Sequence, residues 1–145
     1  MKQFTGFPAK MQFTSLPNLF FSKLLPQIND MAELKTTLHI FEQLYRKRGY
    51  PRFVTYKELL GDISLMSSLK EVAKSPDEVL CNALRMATGR GTILHVALDR
   101  DGVIEDIYFL NNDDNRQMAA KIRSGEFRLP GLKADGQVYI EGEEL

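Results

Sequence analysis

The stretch from Ser75 to Leu110 constrains the fold more than any other part of the chain. Ser75-Pro76-Asp77-Glu78 is a helix start. The serine caps, the proline sits where its missing N–H costs nothing, and the glutamate closes a capping box. Val79, Leu80, Ala83, Leu84 and Ala87 then recur at helical spacing, and Gly89 and Gly91 end the run. Two strand-like runs follow, 92–98 and 103–110, joined by Asp99-Arg100-Asp101-Gly102. Asp-Gly supplies the left-handed residues that a tight hairpin needs. Leu94, Val96 and Leu98 share a face with Ile107 and Phe109, while Ile93, His95 and Ala97 share the other with Asp106 and Tyr108. Both faces are partly apolar, so neither is expected to be wholly wet.

Upstream, Asp30 caps a helix with Glu33 in capping-box position. Leu34, Leu38, Phe41 and Tyr45 fall on one stripe of it, Arg46, Lys47 and Arg48 suit its negative end, and Gly49 closes it. Residues 52–55 read as a short strand, and Thr55 with Glu58 opens a helix to about Gly61. Residues 62–74 suggest irregular structure running into a helical turn or two. Residues 113–124 fit a polar helix around Met118, Ala119 and Ile122. Residues 1–10 read as an extended arm. Alternation over 11–15 suits a short strand, and Pro17 opens a short helix that Pro26 closes. The end of the chain carries Pro130, Gly131, Gly136, Gly142 and three late glutamates, which read as a linker-like acidic tail. The expected organisation is an N-terminal strand and helix extension over 1–29, a domain over 30–125 and a tail over 126–145.

The order from residue 30 is helix, short strand, helix, helix, hairpin. That is the α+β order of a winged helix, a helix-turn-helix variant with a β-hairpin wing. Residues 76–88 would be its recognition helix and 92–110 its wing. The longest apolar runs are far short of a membrane span, and nothing after Met1 reads as a signal peptide, so a cytoplasmic protein is expected. The single cysteine, Cys81, excludes an internal disulfide. Nineteen basic and nineteen acidic residues give a formal net charge of zero. Strong autonomous DNA binders usually carry a basic excess, so this balance favours protein partners.

The run Thr14-Ser15-Leu16-Pro17, then Leu19-Phe20-Phe21, then Asp30 with Glu33-Leu34-Lys35 and Phe41, resembles the N-terminal domain of bacterial DnaD-type replication proteins. The helix–hairpin segment and Phe109-Leu110-Asn111-Asn112 also fit, so the resemblance covers about residues 10–125. It implies a winged helix with an added N-terminal strand and helix, and a role in primosome assembly at replication initiation. In that family this domain mainly mediates self-association and contact with the initiator, and a separate C-terminal helical domain contributes much of the DNA binding. The present sequence reaches Leu145 in a linker-like stretch, as a truncated chain or a short family member would.

Two sets of candidate residues follow. Phe13, Leu16, Phe20, Phe21 and Leu24 form an apolar load ahead of the main domain, suited to a homo-oligomer interface of a dimer or larger assembly, or to covering the domain's own core. Asn82, Arg85, Arg90 and Arg100 lie where a recognition helix and wing could reach one duplex. Asp77 and Glu78 at the start of that helix repel phosphate, so DNA contact is expected to be weak and secondary. The expected partners are other copies of the chain and a replication initiator or helicase. The alternative is a winged-helix transcriptional regulator that reads duplex DNA. No catalytic, metal or cofactor site is expected. His39 and His95 are the only histidines and have no cysteine or histidine nearby at metal-ligand spacing, and Cys81 reads as a small buried hydrophobe.

Overall fold

A computed structural model describes residues 3–71, 74–129 and 138–141, with the backbone alone described at Arg100 and 138–141. The chain is a mixed α+β structure built on a small antiparallel sheet. Its elements are α1 (Met31–Arg46), β1 (Val54–Thr55), α2 (Tyr56–Leu60), α3 (Ile63–Ser68), α4 (Pro76–Arg90), β2 (Ile93–Arg100), β3 (Val103–Leu110), α5 (Asp113–Ser124) and β4 (Val138–Glu141). The strand order is β1-β3-β2-β4.

The hairpin is the one the sequence expects. Arg100 pairs with Val103, so the turn is Asp101-Gly102 alone, with φ of 51° and 86°. Positive φ at both positions is the mirror-image turn whose twist matches paired strands. The Asp99 carboxylate accepts the Gly102 N–H at 2.9 Å and braces it. Both sheet faces are covered. Leu94, Val96, Leu98, Ile107 and Phe109 meet Met118, Ala119 and Ile122 of α5. On the other side Ile93 and Tyr108 join the core made by Ile40 and Leu44 of α1, Leu59, Leu65, and Val79, Leu80 and Leu84 of α4.

Helix ends explain most boundaries. The Asp30 carboxylate accepts the Glu33 N–H, Asp62 accepts from Leu65 N–H, and Thr55 with Glu58 makes a complete reciprocal capping box. Ser75 does not cap α4 as expected: its hydroxyl donates to the Glu78 carboxylate at 3.1 Å, and Pro76 supplies the start. Gly91, at φ 88°, ends α4. Thr92 N–H then returns to the Ala87 carbonyl, which turns the chain straight into β2.

Several expectations are corrected. No strand forms over 11–15; the arm has no ladder partner among the described residues and a strand cannot form alone. The helix expected after Pro17 is a π turn, Phe20–Leu24, followed by a 3-10 turn, Leu25–Gln27. Pro26 cannot donate the next helical hydrogen bond, and Leu25 N–H reaches back to Phe20. The strand over 52–55 shortens to Val54–Thr55. Residues 63–68 settle into α3. The stripe Leu34, Leu38, Phe41 and Tyr45 divides: Phe41 is buried and Leu34 packs with it against Phe20 and Ile28, whereas Leu38 and Tyr45 are exposed. A second buried face runs through Glu33, Thr36, Thr37, Ile40 and Leu44. Within the expected tail over 126–145, Leu129 is buried beneath the sheet, Phe127 packs beside it and β4 pairs with β2, while 130–137 and 142–145 lie outside the described residues.

Candidate functional site

The residues proposed to touch DNA differ in their surroundings. Arg85 is exposed on the outward side of α4, and Asn82 is half-buried beside it. Arg90 is committed inside the fold. Its Nε and a terminal nitrogen donate to the two Glu33 oxygens at 2.7 and 2.9 Å, and Glu33 has no exposed surface. These hydrogen bonds raise the Arg90 pKa further, against the opposing effect of burial. The guanidinium thus joins the end of α4 to the start of α1, with little left for a phosphate. The Arg100 side chain lies outside the described residues.

Beside Arg85 a cleft opens between α4 and the hairpin, lined also by Tyr56, Cys81, His95, Asp106 and Tyr108. Strand register places His95 opposite Tyr108, with the rings stacked at 4.8 Å, and His95 Nε2 lies 2.7 Å from Asp106 Oδ1. Cys81 is exposed rather than buried as expected, and its sulfur lies 3.2 Å from the Tyr56 hydroxyl. Burial pushes the Tyr56 phenol above its ordinary 10.0, and the Cys81 contact adds to the rise. A high-pKa phenol stays neutral at physiological pH, so the cleft presents hydrogen-bonding groups and a planar stack.

The five residues proposed for an oligomer interface divide. Phe20, 2% exposed, packs with Ile28 and Phe41, and Leu16 and Leu24 are half-buried against that cluster. They cover the chain's own core. Phe13 and Phe21 are 74% and 53% exposed. Phe4 and Phe7, not singled out in the sequence, are exposed too and pack edge-to-face on one another at 4.9 Å. Their signal was available: two phenylalanines in an arm too short to bury them. The structure therefore presents Phe4, Phe7, Phe13 and Phe21 to solvent on one continuous N-terminal segment.

Basic residues gather elsewhere than on α4. Arg46, Lys47, Arg48 and Arg52 line a groove at the end of α1 with Tyr45 and Phe13. Lys47 is paired with Glu58, whose pKa is lowered. Burial alone would raise it, but the Lys47 charge and the Thr55 N–H outweigh that.

Among the described residues, His39, Glu42 and Asp62 are the group of potential metal-ligating side chains whose ligand atoms meet, all within 4.8 Å of one another. Sequence spacing hid them because Asp62 arrives from the corner between α2 and α3. Asp62 is held below its ordinary 3.8. Burial opposes this and is outweighed by the Leu65 N–H, the Gln43 amide and His39.

No helix among the described residues is long and apolar enough to cross a membrane. Comparison of the chain with family models, curated proteins and solved structures gives no match in any of the three.

Proposed function

We propose that the chain is a winged-helix assembly module of a cytoplasmic, primosome-type replication protein, which works by docking other macromolecules rather than by catalysis. In this reading copies of the chain self-associate through the N-terminal arm, and a replication initiator or helicase docks on the resulting assembly. The observation that carries it is the exposure of Phe4, Phe7, Phe13 and Phe21 on one arm. Solvent-exposed aromatic side chains gathered on one segment mark a contact surface. The order of α1, β1, α2–α3, α4 and the hairpin supports the winged-helix assignment. The likeness of its sequence to DnaD-type domains supports the replication role.

DNA contact is secondary in this proposal. Among the candidates whose side chains are described, Arg85 is exposed and Arg90 is paired with Glu33, and the first turn of α4 carries Asp77 and Glu78. The transcriptional-regulator alternative loses Arg90 from its reading surface on the same count.

Light scattering of the full chain beside Phe7→Ser/Phe13→Ser tests the proposal. Both substitutions lie at exposed positions, so the fold should persist. We expect an oligomeric mass for the parent chain and a smaller mass for the variant at equal concentration. Equal masses from two folded proteins would overturn the reading.

A further inference from the structure

We propose that His39, Glu42 and Asp62 form a binding site for one divalent transition-metal ion of zinc's chemistry, which fastens α1 to the corner between α2 and α3. His39 and Glu42 are one turn apart on α1, so they share a face. Asp62, the N-cap of α3, meets them from the opposite side. His39 Nδ1 lies 3.2 Å from Asp62 Oδ2 and 3.5 Å from Glu42 Oε1. Around a tetrahedral zinc with bonds of about 2.0–2.1 Å, neighbouring ligand atoms sit about 3.4 Å apart. Both distances from His39 match neighbouring ligands on one ion, and all three ligand atoms lie within 4.8 Å of one another.

Hydrogen bonding joins His39 Nδ1 to Asp62, and Glu42 approaches the same nitrogen at 3.5 Å. A ring nitrogen carries one proton, yet two carboxylates converge on the same nitrogen. A divalent ion answers all three groups at once. Neutral imidazole offers its lone pair, and the two carboxylates cancel the charge. Among the described residues, Arg46 is the lysine or arginine paired with the cluster, 4.0 Å from Glu42, and it is mostly exposed.

The surroundings suit a ligand set. Asp62 Oδ1 accepts the Leu65 N–H at 3.0 Å and Oδ2 accepts from Gln43 Nε2 at 3.0 Å. Such outer hydrogen bonds fix a carboxylate for coordination. His39 and Asp62 are largely shielded, whereas Glu42 is half open and leaves a fourth position to water. One nitrogen and two oxygens fit zinc, cobalt or nickel. Magnesium prefers octahedral oxygen and copper(I) prefers sulfur.

The proposal stands apart from the assembly reading, because no exposed phenylalanine of the arm contributes a ligand. Its test is titration of the protein with zinc chloride, followed by calorimetry and thermal melting, in a Cys81→Ser background that removes the only thiol. One equivalent should bind, and saturation should raise Tm by roughly 5–10 °C at a hundredfold excess over Kd. His39→Ala and Glu42→Gln should each weaken binding at least tenfold while the metal-free proteins still fold. Cobalt(II) should give the visible bands of a tetrahedral nitrogen–oxygen site, lost in His39→Ala. Absence of one-to-one binding, or equal affinity in the parent and both variants, would overturn it.

Discussion

Glu33, fully buried at the first turn of α1, holds Arg90 at the last turn of α4 through two charge-assisted hydrogen bonds. Paired in this way the buried carboxylate is tolerable. Alone it would be costly, because desolvation of an unpaired charge is not recovered. Arg90→Met should therefore destabilise the chain by about 3 kcal/mol. Glu33→Met combined with Arg90→Met should recover much of that loss. Urea unfolding of the parent, Arg90→Met, Glu33→Met and the double variant measures the coupling, and additive effects would contradict a mutual pairing.

The two classes of arm residue make opposite predictions. Phe20→Ala removes a buried ring from the cluster with Ile28 and Phe41 and should cost about 3 kcal/mol. Phe13→Ala touches an exposed ring and should leave monomer stability within about 0.5 kcal/mol. Denaturant melts at low protein concentration separate the two. Similar losses from both would mean that Phe13 is buried in the isolated chain.

The hydroxyls of Thr36 and Thr37 on α1 are buried and have no hydrogen-bond partner among the described residues. Burying an unpaired hydroxyl is unfavourable, and valine has nearly the same shape. Thr37→Val should therefore be neutral or stabilise by up to about 1 kcal/mol, read as a shift in urea midpoint at unchanged slope. A clear loss of stability would point to a partner for that oxygen.

Glu58 carries a small pH dependence. Its pKa is lowered in the folded chain, so ionised Glu58 favours folding at neutral pH. That contribution fades as pH falls through and below its ordinary 4.5. The group is partly exposed, so the effect is modest. Glu58→Gln can still accept the Thr55 N–H but loses the charge that holds Lys47. Its stability should fall less steeply with acid than that of the parent, and parallel acid limbs would show that the pair contributes nothing.

How much of this was legible depends on whether a residue's partners are local. The Asp101-Gly102 turn, the alternation in both strands and the Thr55–Glu58 box are short-range chemistry, and the sequence reading matches the structure there. The orientation of α1 was not readable. The helix is covered on two sides: Leu34 and Phe41 face the arm's small cluster, while Ile40 and Leu44 face α4. The second face also includes Glu33 and two threonines, which look like surface residues until Arg90 arrives from 57 positions away. The same limit applied at β4, whose place depends on the free edge of β2 and not on its own composition. Among candidate sites, the arm's apolar load was visible but not its division into buried and exposed rings. The meeting of His39 with Asp62 left no trace in local spacing.

The doubly covered hairpin has a cost for error. A hairpin with one wet side can slide by a position and still leave its oily residues somewhere tolerable. In this one, sliding β3 by a single residue would drive Asp106 into the packing beneath α5 and pull Ile107 and Phe109 away from it. Insertions in the Asp101-Gly102 bend, however small, should therefore be far less forgiving than their solvent exposure suggests.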